Sequence, residues 1–306
     1  MTIKHLVLVG GGPNVFIHYG ILKTLSQKDY IDIKKIESIH ATSCGSIAGL
    51  ILLLTTNWED IDDYLINRPW EKVFTIKPTQ LISSIKTLGI YDSSLFIDMF
   101  KPFMELNDMD IDITLKEFYE KNKVDFYFYV TKYDDIESCT ISHKTHPNLK
   151  LFTAVHMTCG IPVIFKPVLY ENKLYFDGAL FKNYPLKDCI ESIEDIDYSE
   201  IFGIRQSNIS YDEEQEQEQE QKEKSILENL DLFKFLYNSI SRLMQHINVI
   251  NYKDYDLKNE IQIKIHNADF AFWKKVMSSK EQRTNLIKEG EEYADNFLLS
   301  ITDNNS

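Results

Sequence analysis

The chain has 306 residues, of which 43% are hydrophobic and 26% charged, a composition typical of one large globular domain or two ordinary ones. Its 33 basic and 47 acidic residues give a formal net charge of −14. This balance argues against a nucleic-acid-binding protein and a polybasic membrane anchor, because both need clustered lysine and arginine side chains near phosphates.

The first fifty residues alternate between predicted strands and helices. The expected elements are a strand at 5–9, a helix at 15–26, a strand at 36–40 and a strongly apolar helix at 46–54. This strand–helix–strand–helix order predicts an α/β fold with a parallel sheet.

Further elements are predicted along the middle of the chain. Thr114 and Glu117 form a capping-box pattern that indicates the start of a helix. Strands are expected at 126–130, 173–176 and 200–204, since these runs are rich in aromatic and β-branched residues.

The segment 212–224 differs from the rest of the chain because it has no apolar residue and is rich in Glu and Gln. We interpret it as a solvated low-complexity loop within a single domain that spans residues 1–306. In the helical part that follows, 225–300, apolar residues recur every three or four positions from Ile226 to Ile247. This stripe predicts a helix packed on the core, with a coiled-coil seam or a membrane-facing surface as alternatives.

The four cysteines, at positions 44, 139, 159 and 189, show no CxxC spacing, so they predict neither a zinc site nor a disulfide framework. The N-terminal residues lack the apolar run of a signal peptide. The longest apolar run, 47–54, is well short of the roughly 20 residues that span a bilayer. We therefore expect a cytoplasmic protein.

Gly10, Gly11 and Gly12 lie between the first strand and the first helix. Glycines at this position let the backbone approach a ligand and present amides to developing negative charge. A dinucleotide-binding loop is disfavoured, because Val15 occupies the third glycine position of GxGxxG. An ordinary glycine turn remains the alternative.

The segment Ala41-Thr42-Ser43-Cys44-Gly45 joins the second strand to the second helix and reads as G-x-S-x-G with Ala41 in the first glycine position. A nucleophile elbow needs small residues two positions before and after the serine, since the strand and the helix crowd together there. A serine at such a turn is more often a helix cap. The glycine loop one unit earlier favours the nucleophile.

Asp177 ends a predicted strand and precedes Gly178. A plain Asp-Gly turn is the alternative to a functional carboxylate. A carboxylate can activate a serine when desolvation raises its pKa. A Ser-His-Asp triad would instead need a histidine after Asp177, and only His246 and His266 occupy such positions.

In this order, the three clusters make the sequence resemble the patatin-like phospholipase family. The resemblance extends over about residues 3–300 and includes Gly89-Ile90-Tyr91-Asp92, the stretch 154–162 and Ala268-Asp269-Phe270. It implies a three-layer α/β/α fold with a mainly parallel central sheet. It also implies lipid acyl hydrolysis of the phospholipase A or lysophospholipase type by a Ser–Asp dyad, with no metal or other cofactor.

Carried over by position, the resemblance implies that Ser43 is the nucleophile and Asp177 the base, and that Gly10, Gly11 and Gly12 line the oxyanion hole. The chemistry favours backbone amides, including that of Cys44, as donors to the oxyanion. The expected partners are a phospholipid or another acyl lipid and, transiently, a membrane surface, with no nucleic acid.

Three residues prompt a different hypothesis: Ala41, Pro13, which has no N–H, and Asn14, where the family usually carries a basic residue. The alternative is a catalytically weak or inactive hydrolase fold that acts as a lipid- or protein-binding module. A transacylase is a third possibility.

Membrane contact is expected to be apolar, because a net charge of −14 is repelled by anionic bilayers. The stretch around Trp70, Phe74 and Ile76 is the predicted interfacial face, with the helix at 226–247 as the alternative.

Overall fold

The structure, a computed structural model, describes residues 2–55, 57–207, 232–251, 257–264 and 270–303. Its strands are β1 (His5–Leu8), β2 (Ser38–Ala41), β3 (Asp125–Lys132), β4 (Glu137–Ile141), β5 (Val168–Tyr170), β6 (Lys173–Asp177), β7 (Ile201–Gln206) and β8 (Glu260–Ile263). Its helices are α1 (Val15–Gln27), α2 (Cys44–Leu53), α3 (Trp58–Asn67), α4 (Trp70–Val73), α5 (Pro78–Thr87), α6 (Ser93–Leu106), α7 (Leu115–Asn122), α8 (Leu151–Thr158), α9 (Leu186–Ser192), α10 (Leu232–Asn251), α11 (Phe270–Ser278) and α12 (Lys280–Asp303).

The described strands form one sheet in the order β5-β6-β3-β2-β1-β7-β8, with β4 also paired to β3. The five strands from β3 to β8 in this order pair in parallel. The strands β4, β6 and β5 add antiparallel pairs at one end. The prediction of a mainly parallel central sheet is confirmed.

Helices cover both faces of this sheet. Leu6 and Leu8 of β1 belong to the main hydrophobic core, which also contains side chains of α1 and α2. Val7 lies in a second apolar cluster with Leu186 and Cys189 of α9. Because successive strand residues point to opposite faces, α1 and α2 lie on one side of the sheet and α9 on the other. The predicted three-layer arrangement is confirmed.

The C-terminal part contributes helices to the same core. Tyr237 and Met244, both on the predicted apolar stripe, are buried, so this part of the stripe packs inward as predicted. The acidic segment 212–224 lies outside the described residues, so its interpretation as a loop in a single domain stays a prediction. No helix in the described part of the chain combines the length and apolar character needed to cross a bilayer.

The strands and the helix next to Ser43 and Asp177 extend further toward these residues than the sequence predicts. Strand β2 ends at Ala41 and α2 begins at Cys44, so only Thr42 and Ser43 connect them. Strand β6 extends to Asp177, one residue beyond its predicted end. Both candidate catalytic residues therefore lie at the ends of regular elements, where the sheet fixes their backbones.

Candidate active site

The register of the sheet explains why Ser43 and Asp177 meet although 134 positions separate them. On β3, Phe128 pairs with Ala41 of β2 and Val130 pairs with Asp177 of β6. Strand β4 occupies the opposite edge of β3 at both positions, so β2 and β6 share the remaining edge. The C-terminal ends of β2 and β6 therefore face each other along this edge. The positions on β3 with which they pair are two residues apart, which corresponds to about 7 Å.

Ser43 forms a sharp elbow with an unusual backbone conformation. Its φ of 50° and ψ of −126° lie outside the regions that non-glycine residues favour, which costs about 1–3 kcal/mol. Its amide donates to Oγ1 of Thr158 over 3.0 Å, and this hydroxyl donates in turn to the Tyr129 carbonyl. A side chain at Gly45 would place its Cβ 2.5 Å from the Leu8 carbonyl oxygen, so the elbow requires glycine there.

The serine hydroxyl and the aspartate form a direct pair. Oγ of Ser43 donates to Oδ2 of Asp177 over 2.9 Å. The second carboxylate oxygen accepts the Ala179 amide over 2.8 Å, and the Asp177 carbonyl accepts the Thr131 hydroxyl. These contacts fix the carboxylate so that one oxygen points at the serine.

The ionisation of Asp177 is shifted by its surroundings. The side chain is fully buried, and this desolvation raises the pKa of its carboxyl group from 3.8 to about 7. Hydrogen bonds from the Ala179 amide and the Ser43 hydroxyl act in the opposite direction and only partly offset the desolvation. A carboxylate with a pKa near 7 is suited to accept a proton at neutral pH.

The glycine loop presents two amides beside Ser43. The Gly11 carbonyl accepts the Asn14 side-chain amide over 2.6 Å and the Asn14 backbone amide over 3.2 Å. The C=O and N–H of a trans peptide point in opposite directions, so this contact turns the Gly12 amide away from Asn14. Burial raises the pKa of the Cys44 thiol, and backbone hydrogen bonding by Gly11 and Gly12 partly offsets this shift. Gly12 and Cys44 line the same pocket as Ser43, so the amides of Gly11 and Gly12 are candidate donors beside Ser43.

Gly10 is predicted to line the oxyanion hole, and the structure shows where its amide points. Its amide donates to Oδ1 of Asn183 over 3.0 Å and to the Asn183 carbonyl over 3.3 Å, so it is already engaged. Asn183 also donates to the Gly10 carbonyl, which pins the start of the glycine loop. Among the predicted loop glycines, Gly11 and Gly12 remain as candidate donors.

An apolar pocket opens beside Ser43. It has an empty volume of about 840 Å³, which includes the open solvent at its mouth. Ser43 and Gly12 lie in its wall, and most other lining residues are aliphatic or aromatic. Ile51 also lines it, eight residues along α2 from Ser43 and therefore about 12 Å away by helical rise. The pocket fits a hydrocarbon chain.

Aromatic side chains bound the pocket next to the glycine loop. The Trp273 ring packs edge to face on Phe74, with ring centroids 4.2 Å apart. Trp70 also lines the pocket, is only 3% exposed, and donates its indole N–H to the Leu65 carbonyl. The prediction of Trp70 as an interfacial residue is therefore wrong, because its hydrogen-bonded ring is buried against the core.

Two supporting residues were not assigned a role from the sequence. Asn183 and Thr158 hold the loop and the elbow through the contacts described above. The only available signal was their position within the motif-bearing stretches around Pro162 and Asp177. Over the described ranges, no group of three or more His, Cys, Asp or Glu side chains is placed to hold a metal ion. His266 and the side chain of His246 lie outside what the structure describes.

Comparisons with known proteins agree with this architecture. The chain is 27% identical over 194 residues to a probable lipid hydrolase of invertebrate iridescent virus 6, which covers 61% of this chain and 63% of that protein. It is 25% identical over 206 residues to an uncharacterized protein of Acanthamoeba polyphaga mimivirus, covering 67% and 66% of the two chains. The matched part is thus slightly less than two thirds of each viral relative.

The crystal structure of VipD from Legionella pneumophila shares the fold. It superposes with a TM-score of 0.54 and 17% sequence identity, covering 98% of this chain and 67% of that one. A family model described as patatin-like phospholipase matches residues 6–190, more than half of the chain. The resemblance expected beyond residue 190 stays a prediction, and Ala268 and Asp269 lie outside the described residues. Over its matched region, which carries the elbow, the glycine loop and Asp177, the chain belongs to the patatin-like phospholipase family.

Proposed function

We propose that the protein is a lipid acyl hydrolase that cleaves carboxylic esters through a Ser43 acyl-enzyme, with Asp177 as the base. One observation carries the proposal: Oγ of Ser43 donates to the buried carboxylate of Asp177 over 2.9 Å at the wall of an apolar pocket. A nucleophile, its base and a hydrocarbon-binding cavity thus occur together, as ester hydrolysis of a lipid requires.

The reaction proceeds in two halves. Asp177 accepts the Ser43 proton while Oγ attacks the ester carbonyl, and the oxyanion that forms accepts hydrogen bonds from the amides of Gly11, Gly12 and Cys44. The intermediate collapses, and Asp177 returns the proton to the departing alcohol. Water then attacks the acyl-enzyme with Asp177 again as base, which releases the fatty acid and restores Ser43.

The substrate class follows from the pocket. An apolar cavity lined by Ser43 and by Ile51 accommodates one acyl chain, leaving the alcohol part of the lipid toward the mouth. We propose a phospholipid or lysophospholipid as substrate, met at a membrane surface. The test is hydrolysis across a panel of lipids with different head groups by the intact protein and by Ser43→Ala. Hydrolysis that is equal in the two proteins would contradict the proposal.

A pH dependence is expected from the raised pKa of Asp177. The carboxylate accepts a proton only when ionised, so kcat/KM for a non-ionisable ester should rise with pH and level off above about 7. Below that value the rate should fall about tenfold per pH unit. The check is a pH–rate profile on a soluble ester. A flat profile between about pH 5 and 9 would show that no such base limits the reaction.

The chain-length preference should depend on Ile51. Ile51→Phe fills the deep part of the pocket and should exclude about three methylene groups, at about 0.8 kcal/mol each, so kcat/KM for long-chain esters should fall roughly 50-fold. Short-chain esters that end before Ile51 should keep their rates. Ile51→Val, which removes volume, is the matched control and should not shorten the preferred chain. Equal losses of kcat/KM on long-chain and short-chain esters would show that the acyl chain does not lie against Ile51.

One observation favours the rival hypothesis of a weak or inactive hydrolase fold. The Cys44 thiol, which donates to the Val9 carbonyl over 3.9 Å, lies next to the glycine loop, and backbone hydrogen bonding by Gly11 and Gly12 partly offsets the rise of its pKa on burial. The proposed oxyanion needs the same two amides. If the thiol stays there during turnover, it competes with the substrate oxygen. Cys44→Gly would then raise the hydrolysis rate. An unchanged rate would show that the thiol does not compete with the substrate oxygen for these amides.

A further inference from the structure

Helix α5 and the residue that follows it expose three large aliphatic side chains to solvent. Ile82 and Ile85, three positions apart on one side of the helix, are 73% and 80% exposed, and Leu88, directly after the last helical residue, is 60% exposed. Among the α5 side chains that the structure describes, none is buried. Large aliphatic residues grouped on one exposed surface are unusual for a monomeric protein and indicate a binding surface.

Both ends of α5 are attached to the pocket wall. Before the helix, the carbonyl of Phe74 accepts the Tyr91 hydroxyl over 2.7 Å. After it, the Tyr91 amide donates to the Ile164 carbonyl, and its ring packs on Phe165. Phe74 and Phe165 both line the pocket. Any surface that contacts α5 is therefore held beside the pocket.

The segment between Glu71 and Asp92, which carries α5, is positively charged although the whole chain is negative. Residues 72–91 contain Lys72, Lys77 and Lys86 and no acidic residue, although the net charge of the protein is −14. The three lysines are exposed, and in the described ranges none of them has an ion-pair partner. Exposed aliphatic side chains flanked by lysines are typical of helices that lie in the interfacial region of a bilayer, where lysine meets lipid phosphate.

Helix α10 is the other candidate, with Leu232 and Leu243 73% and 59% exposed. The adjoining segments 208–231 and 252–256 lie outside the described residues, so the structure does not show what covers this surface. The residues directly before and after α5 are all described, and they leave Ile82 and Ile85 exposed.

We propose that α5 docks the protein on the phosphate-bearing surface of a phospholipid bilayer, with Ile82, Ile85 and Leu88 inserted among the head groups. The pocket next to α5 then opens toward the lipid layer, so an acyl chain moves from the bilayer to Ser43 over a short path. This inference rests on the proposed lipid hydrolysis for its biological meaning, but the binding itself is measurable without turnover.

The experiment is co-sedimentation of the full chain with vesicles of phosphatidylcholine containing a minor fraction of phosphatidylglycerol. The double variant Ile82→Asp/Ile85→Asp should lower the bound fraction by about tenfold or more, because both side chains lose apolar contact and gain charge. Leu299→Asp is the matched control: this residue is 63% exposed near the end of α12, a helix that contributes no described residue to the pocket lining. Ile82→Ser/Ile85→Ser, with thermal melts of every variant, separates lost docking from lost folding.

Rates on a soluble short-chain ester, measured in parallel, distinguish the two proposals. Unchanged ester rates with lost vesicle binding support the docking role of α5. Vesicle binding without any ester hydrolysis contradicts the proposed function and leaves the docking proposal standing. Equal vesicle binding by the wild type and both double variants overturns the docking proposal, as does a wild type that binds no vesicles. A dimer that the double substitutions dissociate assigns this surface to self-association and also overturns it.

Discussion

Ser43→Ala is expected to lower ester hydrolysis by about 10⁴-fold or more, as loss of the nucleophile does in serine hydrolases. The hydroxyl of Ser43 donates to Asp177, and its removal leaves the elbow contact from the Ser43 amide to Thr158 in place. The stability of the fold should therefore change little. Initial rates on a soluble ester and on lipid, together with thermal melts, check this expectation.

Ser46→Ala is the matched control for this variant. Ser46 is also fully buried, lies one turn further along α2, and its hydroxyl has no hydrogen-bond partner in the described part of the chain. Its loss should leave both turnover and stability nearly unchanged. A Ser43→Ala protein that keeps rates close to those of Ser46→Ala would refute the assignment of the nucleophile.

Asp177→Asn should reduce turnover as deeply as Ser43→Ala, because the amide has the shape of the carboxyl group and cannot accept the serine proton. The double variant should be no slower than either single variant, since the two residues act as one unit. Asp135→Asn, at an exposed position on the β3–β4 turn, is the control and should keep its activity. A double variant far slower than both single variants would show that the residues act independently.

The same substitution has an expected effect on stability. A carboxyl group whose pKa is raised from 3.8 to about 7 in the folded state destabilises that state as the pH rises through this window. At about 1.4 kcal/mol per pKa unit, the full penalty above pH 7 is about 4 kcal/mol. Asp177→Asn should therefore be more stable than the wild type above pH 7 and similar to it near pH 4. Equal melting temperatures of Asp177→Asn and the wild type at both pH values would contradict a buried Asp177 carboxyl group with a raised pKa.

Local sequence signals predicted the elements that carry the site. The capping box of α7 is present, with the Thr114 amide donating to the Glu117 carboxylate over 2.8 Å. The sequence also indicates the elbow and the glycine loop, because small residues at fixed spacing are needed where two backbone segments pack closely against each other. These features depend on neighbours within a few residues, which a single sequence contains.

Features that depend on distant partners were missed. Strands β4 and β5 are short and have no clear alternation, and they exist because they pair with β3 and β6. The engagement of the Gly10 amide by Asn183 joins residues 173 positions apart, so no local pattern reports it. Trp70 was assigned to the surface because an aromatic-rich stretch does not show which side faces the core.

Covalent labelling of the intact protein by a fluorophosphonate tests the central claim most directly, because this probe reacts with a serine only when a base activates it. Peptide mass spectrometry should find one adduct per chain, at Ser43, with no labelling of Ser43→Ala and strongly slowed labelling of Asp177→Asn. An unlabelled wild type, or an adduct at a residue other than Ser43, would contradict the account.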